Sequence, residues 1–178
     1  MSNSILYFDI DKPFNPILGE TFQGSIDGCP VYAEQISHHP PITSILLVGR
    51  GYRVYANLEA KVYVHLNSGE GVNEGLYTIE FSDGEKIFFQ TAPGEVSGLA
   101  VGDRKYRIKG KMLVISPKSK LCSVVSFEDE SGIFSSKKWV FCDQMEGTIA
   151  RITDSFVRNF FTKERGKDVV GPNKKEVE

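Results

Sequence analysis

The chain is poor in the residues that mark a stapled, metal-bound or membrane-spanning protein. Cysteine occurs only as Cys29, Cys122 and Cys142. The number is odd and the spacing fits no metal knuckle, which argues against a disulfide framework and for reduced thiols acting as small buried hydrophobes in a cytoplasmic protein. No apolar run approaches the roughly 18 residues that cross a bilayer. The start, Met1-Ser2-Asn3-Ser4, lacks the basic region and apolar core of a secretory signal. An excess of either charge is also missing. With 21 basic and 23 acidic residues the net charge is −2, so the protein as a whole is not drawn to nucleic acid, and any pull toward a membrane must come from local patches. Enzyme signatures are absent as well: there is no nucleophile elbow, no phosphate-binding glycine loop and no HExxH pattern. Asp129-Glu130 falls in a polar turn, a poor place to raise a carboxyl pKa. These absences point to a protein that is not an enzyme and needs no cofactor or metal.

What is present is a β pattern. The 178 residues suit one domain, without repeats or an internal linker. Residues 52–66 alternate for fifteen positions, with Tyr52, Val54, Ala56, Leu58, Ala60, Val62, Val64 and Leu66 on one face and Arg53, Tyr55, Asn57, Glu59, Lys61, Tyr63 and His65 on the other. Such alternation predicts a long strand, or two strands meeting at a bend, with one apolar face, ended by a loop at Asn67–Gly71. Shorter strands are expected at 75–81, 86–91, 98–101, 104–109, 111–116, 121–127, 139–142 and 147–152, with turns at Asp83-Gly84, Gly102-Asp103 and Ser116–Ser119. The fold class implied is mainly all-β, a curved antiparallel sheet or partial barrel of about ten strands over residues 1–153. Asp154 or Ser155 caps a short C-terminal helix over residues 154–166, with Phe156, Val157, Phe160 and Phe161 on one side. Residues 167–178 read as a disordered tail.

The most specific stretch is Glu34-Gln35-Ile36-Ser37-His38-His39-Pro40-Pro41. The two prolines fix φ, remove backbone donors and hold the preceding residue out of the helical region. Two imidazoles on such a rigid segment make a grip for phosphate. A second segment, Lys12-Pro13-Phe14-Asn15-Pro16-Ile17-Leu18-Gly19-Glu20, lies just upstream. In this order the two resemble the fingerprints of the oxysterol-binding protein family, whose members carry sterols or phospholipids between membranes. Softer matches are the Glu95–Lys111 stretch and Gly132–Lys138, and the likeness runs from about Tyr7 to Ile152. The resemblance implies a large antiparallel barrel around a lipid. This chain is short for the complete domain and matches it without the N-terminal lid or the C-terminal region.

The resemblance also places Lys12, Asn15, His38 and His39 around a phosphorylated head group, that of phosphatidylinositol 4-phosphate or of phosphatidylserine. The chemistry agrees: Lys12 offers a compact charge with three donors, Asn15 an amide, and each imidazole a donor to a phosphate oxygen. Adjacent residues on a regular strand face opposite sides, so both histidines serve only if the prolines distort the strand end. Outside this octet a His-His pair is more often an ordinary loop pair. Lys12 and Asn15 also suit a plain turn, Glu34 and Gln35 suit structural pairing, and His65 belongs to the polar strand face. Lys137 and Lys138 are secondary candidates for head-group or membrane contact, with a solvated loop as the plainer account. A zinc site from His38, His39 and a cysteine would need ligands without motif spacing. The function expected is lipid binding, extending to transfer between membranes, by a cytoplasmic protein that touches membranes peripherally. The alternative is a head-group sensor or interaction module that never encloses a lipid. Open sheet edges offer a route to self-association.

Overall fold

In the computed structural model, residues 15–127, 145–162, 172 and 175–177 are described. Twelve strands form a single antiparallel sheet: β1 (Thr21–Ile26), β2 (Cys29–His38), β3 (Pro41–Gly49), β4 (Tyr52–Val64), β5 (Ser68–Glu74), β6 (Tyr77–Phe81), β7 (Lys86–Gln90), β8 (Gly94–Ser97), β9 (Lys105–Ile108), β10 (Lys111–Ser116), β11 (Leu121–Ser126) and β12 (Glu146–Arg151), followed by a helix α1 (Asp154–Thr162). Among the described residues the long path runs β1-β2-β3-β4-β6-β7-β10-β11-β12 and does not close on itself. The sheet therefore matches the open, partly wrapped form expected, with two more strands than anticipated.

The sheet forks at β4. On one edge residues 52–59 of β4 pair with β3, and the last residues of β4 run on past it. Its other edge is shared, with residues 52–55 paired to β6 and residues 59–64 paired to β5. A short arm, β5-β8-β9, leaves from the second half. At the fork sits Gly75, with φ 144°, and a Cβ there would stand 2.2 Å from the Asn57 carbonyl oxygen. Only glycine lets the chain turn this close to the backbone of β4.

Two-residue hairpins set much of the register. Asp27 and Gly28 take φ of 50° and 77° between the paired residues Ile26 and Cys29, the positive-φ pair that matches strand twist. Two expectations need correction. Asn67–Gly71 does not run on as a loop, because Ser68–Glu74 is β5, a strand its glycines and polar residues disguise but which is held by neighbours on both sides. Gly98–Val101 is not a strand. Gly98 has φ 75° and packs against the Asp103 carbonyl, so the strand lies four residues earlier, at Gly94–Ser97.

Paired residues in an antiparallel ladder point to the same face, so the register sorts the strands into two surfaces. One face takes Phe22, Val31, Ile45, Val54, Ile79, Phe89, Val114 and Val125, and from β1 through β11 it bears no Asp, Glu, Lys or Arg. The other takes the charged strand residues, Arg151 of β12 excepted, and it is laced by ion pairs: Arg53–Glu80 at 3.0 Å, Lys61–Glu74 at 2.6 Å and Arg107–Glu95 at 2.7 Å.

The buried core lies on the charged face. Leu113, Ile115 and Cys122 join Ile152 and Phe156, with Phe88, Val124, Val157 and Phe160 against them. Helix α1 lies over this patch and is capped one residue earlier than expected, by Thr153, whose Oγ1 accepts from the Phe156 amide at 3.4 Å. Residues 163–166, the rest of the expected helix, are outside the described residues. Within the tail expected to be disordered, Val177 bridges Ile152, and Glu176 accepts from the Thr153 amide at 3.0 Å. The strand expected at 139–142 also falls outside the described residues.

Candidate functional site

The segment around the two histidines is built by Gln35. β2 and β3 pair regularly up to Gln35, where a bulge at Ile36 shifts the register so that Ser37 faces Ile42 and His38 faces Pro41. Gln35 is 2% exposed. Its amide donates to the Ser37 carbonyl at 2.8 Å and accepts from the Thr43 hydroxyl at 2.6 Å, so one buried side chain fixes the kink and ties it to the next strand. Gln35 thus has the structural role its sequence context suggested.

The upstream segment is bonded to the same residue. Gly19, at φ 80°, donates its amide to the Gln35 carbonyl at 2.8 Å, and the Gln35 amide returns to the Glu20 carbonyl at 3.0 Å. The Glu20 carboxylate accepts from the Ile17 amide at 2.9 Å and closes the turn. The Gly19-Glu20 end of the upstream segment and Gln35, fifteen residues after Glu20, are therefore one piece of ladder.

His38 ends β2 at the rim of the apolar face, and His39 enters the turn, its bond to Pro40 being cis. Their rings lie edge to face with centroids 4.6 Å apart, and both are exposed. The bulge and turn bring the two imidazoles together, as strict strand alternation would not. Asn15 is exposed, five residues before Glu20. Lys12, Lys137 and Lys138 lie outside the described residues. Among the described residues, no group of three or more His, Cys, Asp or Glu converges as a metal site.

Around the rim the apolar face is only partly covered. Val31, Ile45, Leu47, Val54, Leu58, Ile79, Ile87, Phe89, Met112 and Val114 are all half-buried. Tyr77 stacks on Phe89 at 4.7 Å, and the Tyr52 ring crosses Gly49, where a Cβ would stand 2.2 Å from a ring carbon. The charged face is better satisfied. Burial opposes ionisation of Glu95, but hydrogen bonds from Lys109 at 2.6 Å and Arg107 at 3.0 Å outweigh it and hold the carboxyl below the usual range. Glu70, which receives Lys109 at 2.9 Å, completes a four-residue network that sequence spacing did not reveal. Burial alone pushes the Cys122 thiol up to about 11, in keeping with an inert core cysteine.

Residues 1–165 match the family model described as oxysterol-binding protein. The chain belongs to the oxysterol-binding protein family. It is 36% identical over 157 residues to oxysterol-binding protein 9 of Dictyostelium discoideum, covering 84% of this chain and 37% of that protein. Human oxysterol-binding protein-related protein 5 is 28% identical over 173 residues, covering 88% of this chain and 19% of the human protein. The chain thus spans well under half of these relatives. Among solved structures, the Osh3 ORD from Saccharomyces cerevisiae in complex with PI(4)P superimposes with a TM-score of 0.63 at 26% identity, over 71% of this chain and 34% of that one. The Osh1 ORD domain in complex with cholesterol gives 0.65 at 21% identity, over 79% and 33%, a likeness of fold. In this family member no helix among the described residues is long and apolar enough to cross a membrane.

Proposed function

We propose that this oxysterol-binding protein family chain binds a membrane lipid non-covalently and catalyses no reaction. The hydrocarbon lies against the apolar face, and a phosphate-bearing head group sits at the rim between His38, His39, Asn15 and Lys12. The observation that carries this reading is the apolar face itself, free of Asp, Glu, Lys and Arg from β1 to β11, half-covered, and ending at two adjoining imidazoles. A half-exposed apolar surface of this extent gains about 25 cal/mol for each Å² that a ligand shields from water. Four charge-assisted hydrogen bonds at roughly 1.5–3 kcal/mol each are of the size a micromolar affinity needs, about 8 kcal/mol. The likeness to the PI(4)P-bound Osh3 ORD supports a phosphoinositide head group. A sterol rests on fold likeness alone. The protein works at the cytoplasmic surface of membranes as a peripheral visitor.

A second reading is favoured by one observation, the path left open between β1 and β12 among the described residues. A sheet that does not close shields hydrocarbon less well, which suits a head-group sensor that leaves the acyl chains in the bilayer. Liposome binding with and without phosphatidylinositol 4-phosphate tests the site. Phosphoinositide-dependent binding that a His38→Ala/His39→Ala variant of equal thermal stability loses is the expected result, and equal behaviour of the two proteins overturns it. Recovery of labelled lipid in the supernatant after vesicles are pelleted separates a carrier from a sensor.

A further inference from the structure

The end of the sheet that carries His38 and His39 has an overhang. Ile42 is paired with Glu59, so β3 starts level with about residue 60, and β4 continues to Val64 beyond it. At about 3.3 Å per residue this places the β4–β5 turn roughly 15 Å past the histidine turn. The loop from β8 to β9, residues 98–104, reaches the same end, because Ser97 pairs with Ser68. The two loops form one tip.

Its side chains are apolar. Leu66 is 97% exposed, Val101 78% and Leu99 41%, while Val64 and Val62 on the adjoining strand are 76% and 70% exposed. A tip left in water has no reason to gather such residues. Its backbone, however, is already satisfied. Asn67 Oδ1 accepts from the amides of Ala100 at 2.8 Å and Val101 at 3.0 Å, and Asn67 Nδ2 donates to the Val101 carbonyl at 3.0 Å. The Asn67 carbonyl accepts from Gly98 at 3.0 Å and Leu99 at 3.3 Å. Unpaired amides are what keep irregular loops out of an apolar medium, at several kcal/mol each. Here one asparagine removes much of that obstacle and holds the two loops together. Arg104 and Lys105, both exposed, follow directly, where a bilayer surface would offer anionic lipid.

We propose that this tip, with Leu66, Leu99 and Val101 at its apex, inserts into the interfacial layer of a lipid bilayer. The occupant is a membrane surface; that the insertion also brings the histidine turn to head-group depth rests on the function proposed above. The test uses phosphatidylcholine vesicles with a minority of phosphatidylserine and no phosphoinositide. The parent chain is expected to sediment with them, and a Leu66→Ser/Val101→Ser variant to bind at least about tenfold more weakly at unchanged melting temperature. A Leu66→Trp variant should show extra emission quenched by brominated lipid, relative to the parent.

Equal binding by the parent and the double serine variant overturns the proposal, as does extra emission from the Leu66→Trp variant that brominated lipid leaves unchanged. So does a concentration-dependent dimer that the serine variant abolishes, which would make a second copy the occupant. Failure of the head-group reading appears separately, as a His38→Ala/His39→Ala variant indistinguishable from the parent on phosphoinositide vesicles.

Discussion

The two faces of the sheet share the same strands and the same backbone ladder, yet they hold opposite chemistry in opposite states of completion. The charged face carries the ion pairs and also the fully buried core, because α1 covers the strands around Ile115. The apolar face has the greater supply of hydrophobic side chains and leaves most of them half-buried. On the proposed reading, stability and lipid binding are divided between the two sides of one layer. The core forms where α1 covers it, and among the described residues the richer apolar surface stays half-covered.

Substitutions of similar size on the two faces should therefore give different readouts. Ile115→Ala, at a side chain with no exposure, is expected to lose about 3–4 kcal/mol in urea unfolding, with lipid binding by the remaining folded fraction unchanged. Glu95→Ala, which removes the carboxylate that Arg107 and Lys109 share but leaves Lys109 paired with Glu70, is expected to cost about 1–2 kcal/mol. The same network makes an acid prediction. The Glu95 carboxyl is lowered in the folded state, so its contribution is complete above the unfolded carboxylate value of about 4.3 and is lost as pH falls through the folded value. A pH series of denaturation midpoints should show this loss, and Glu95→Gln should flatten it. Thr153→Ala removes the cap of α1 and should cost about 1 kcal/mol. Val62→Glu, on the apolar face and 70% exposed, should move stability by less than about 0.5 kcal/mol yet lower lipid uptake. A Val62→Glu variant that unfolds early while binding lipid normally would dissolve the contrast between the faces.

Much of this was legible in the residues, and what was missed has physical causes. The alternation over 52–66 gave β4 to within two residues, because one face of that strand is apolar throughout. It did not reveal that only the first half of that face is covered, since burial depends on which strands lie alongside. β3 escaped because Ile42, Leu46 and Val48 put apolar residues on the charged face as well, erasing the period of two. β5 was hidden by Gly69 and Gly71, which pack against β4 and β8 with no side chain to report it. Asp27-Gly28 was a readable hairpin signal, flanked by Ile26 and Cys29, and would have located β1 and β2. At the candidate site the two segments pointed to Lys12, Asn15, His38 and His39, but not to the bond between Gly19 and Gln35 that joins the segments. The Glu70–Glu95–Arg107–Lys109 network joins three strands and a turn, and no local spacing encodes that.

The Asn67 side chain has one more consequence, which a clock rather than a binding curve can read. The amides of residues 98–101 lie in a loop with exposed side chains, where hydrogen exchange is ordinarily fast. All four donate to Asn67, through its backbone or side-chain oxygen. They should therefore exchange as slowly as the flanking strands and speed up together in Asn67→Ala. This exposed tip would then keep time with its framework rather than with the solvent around it.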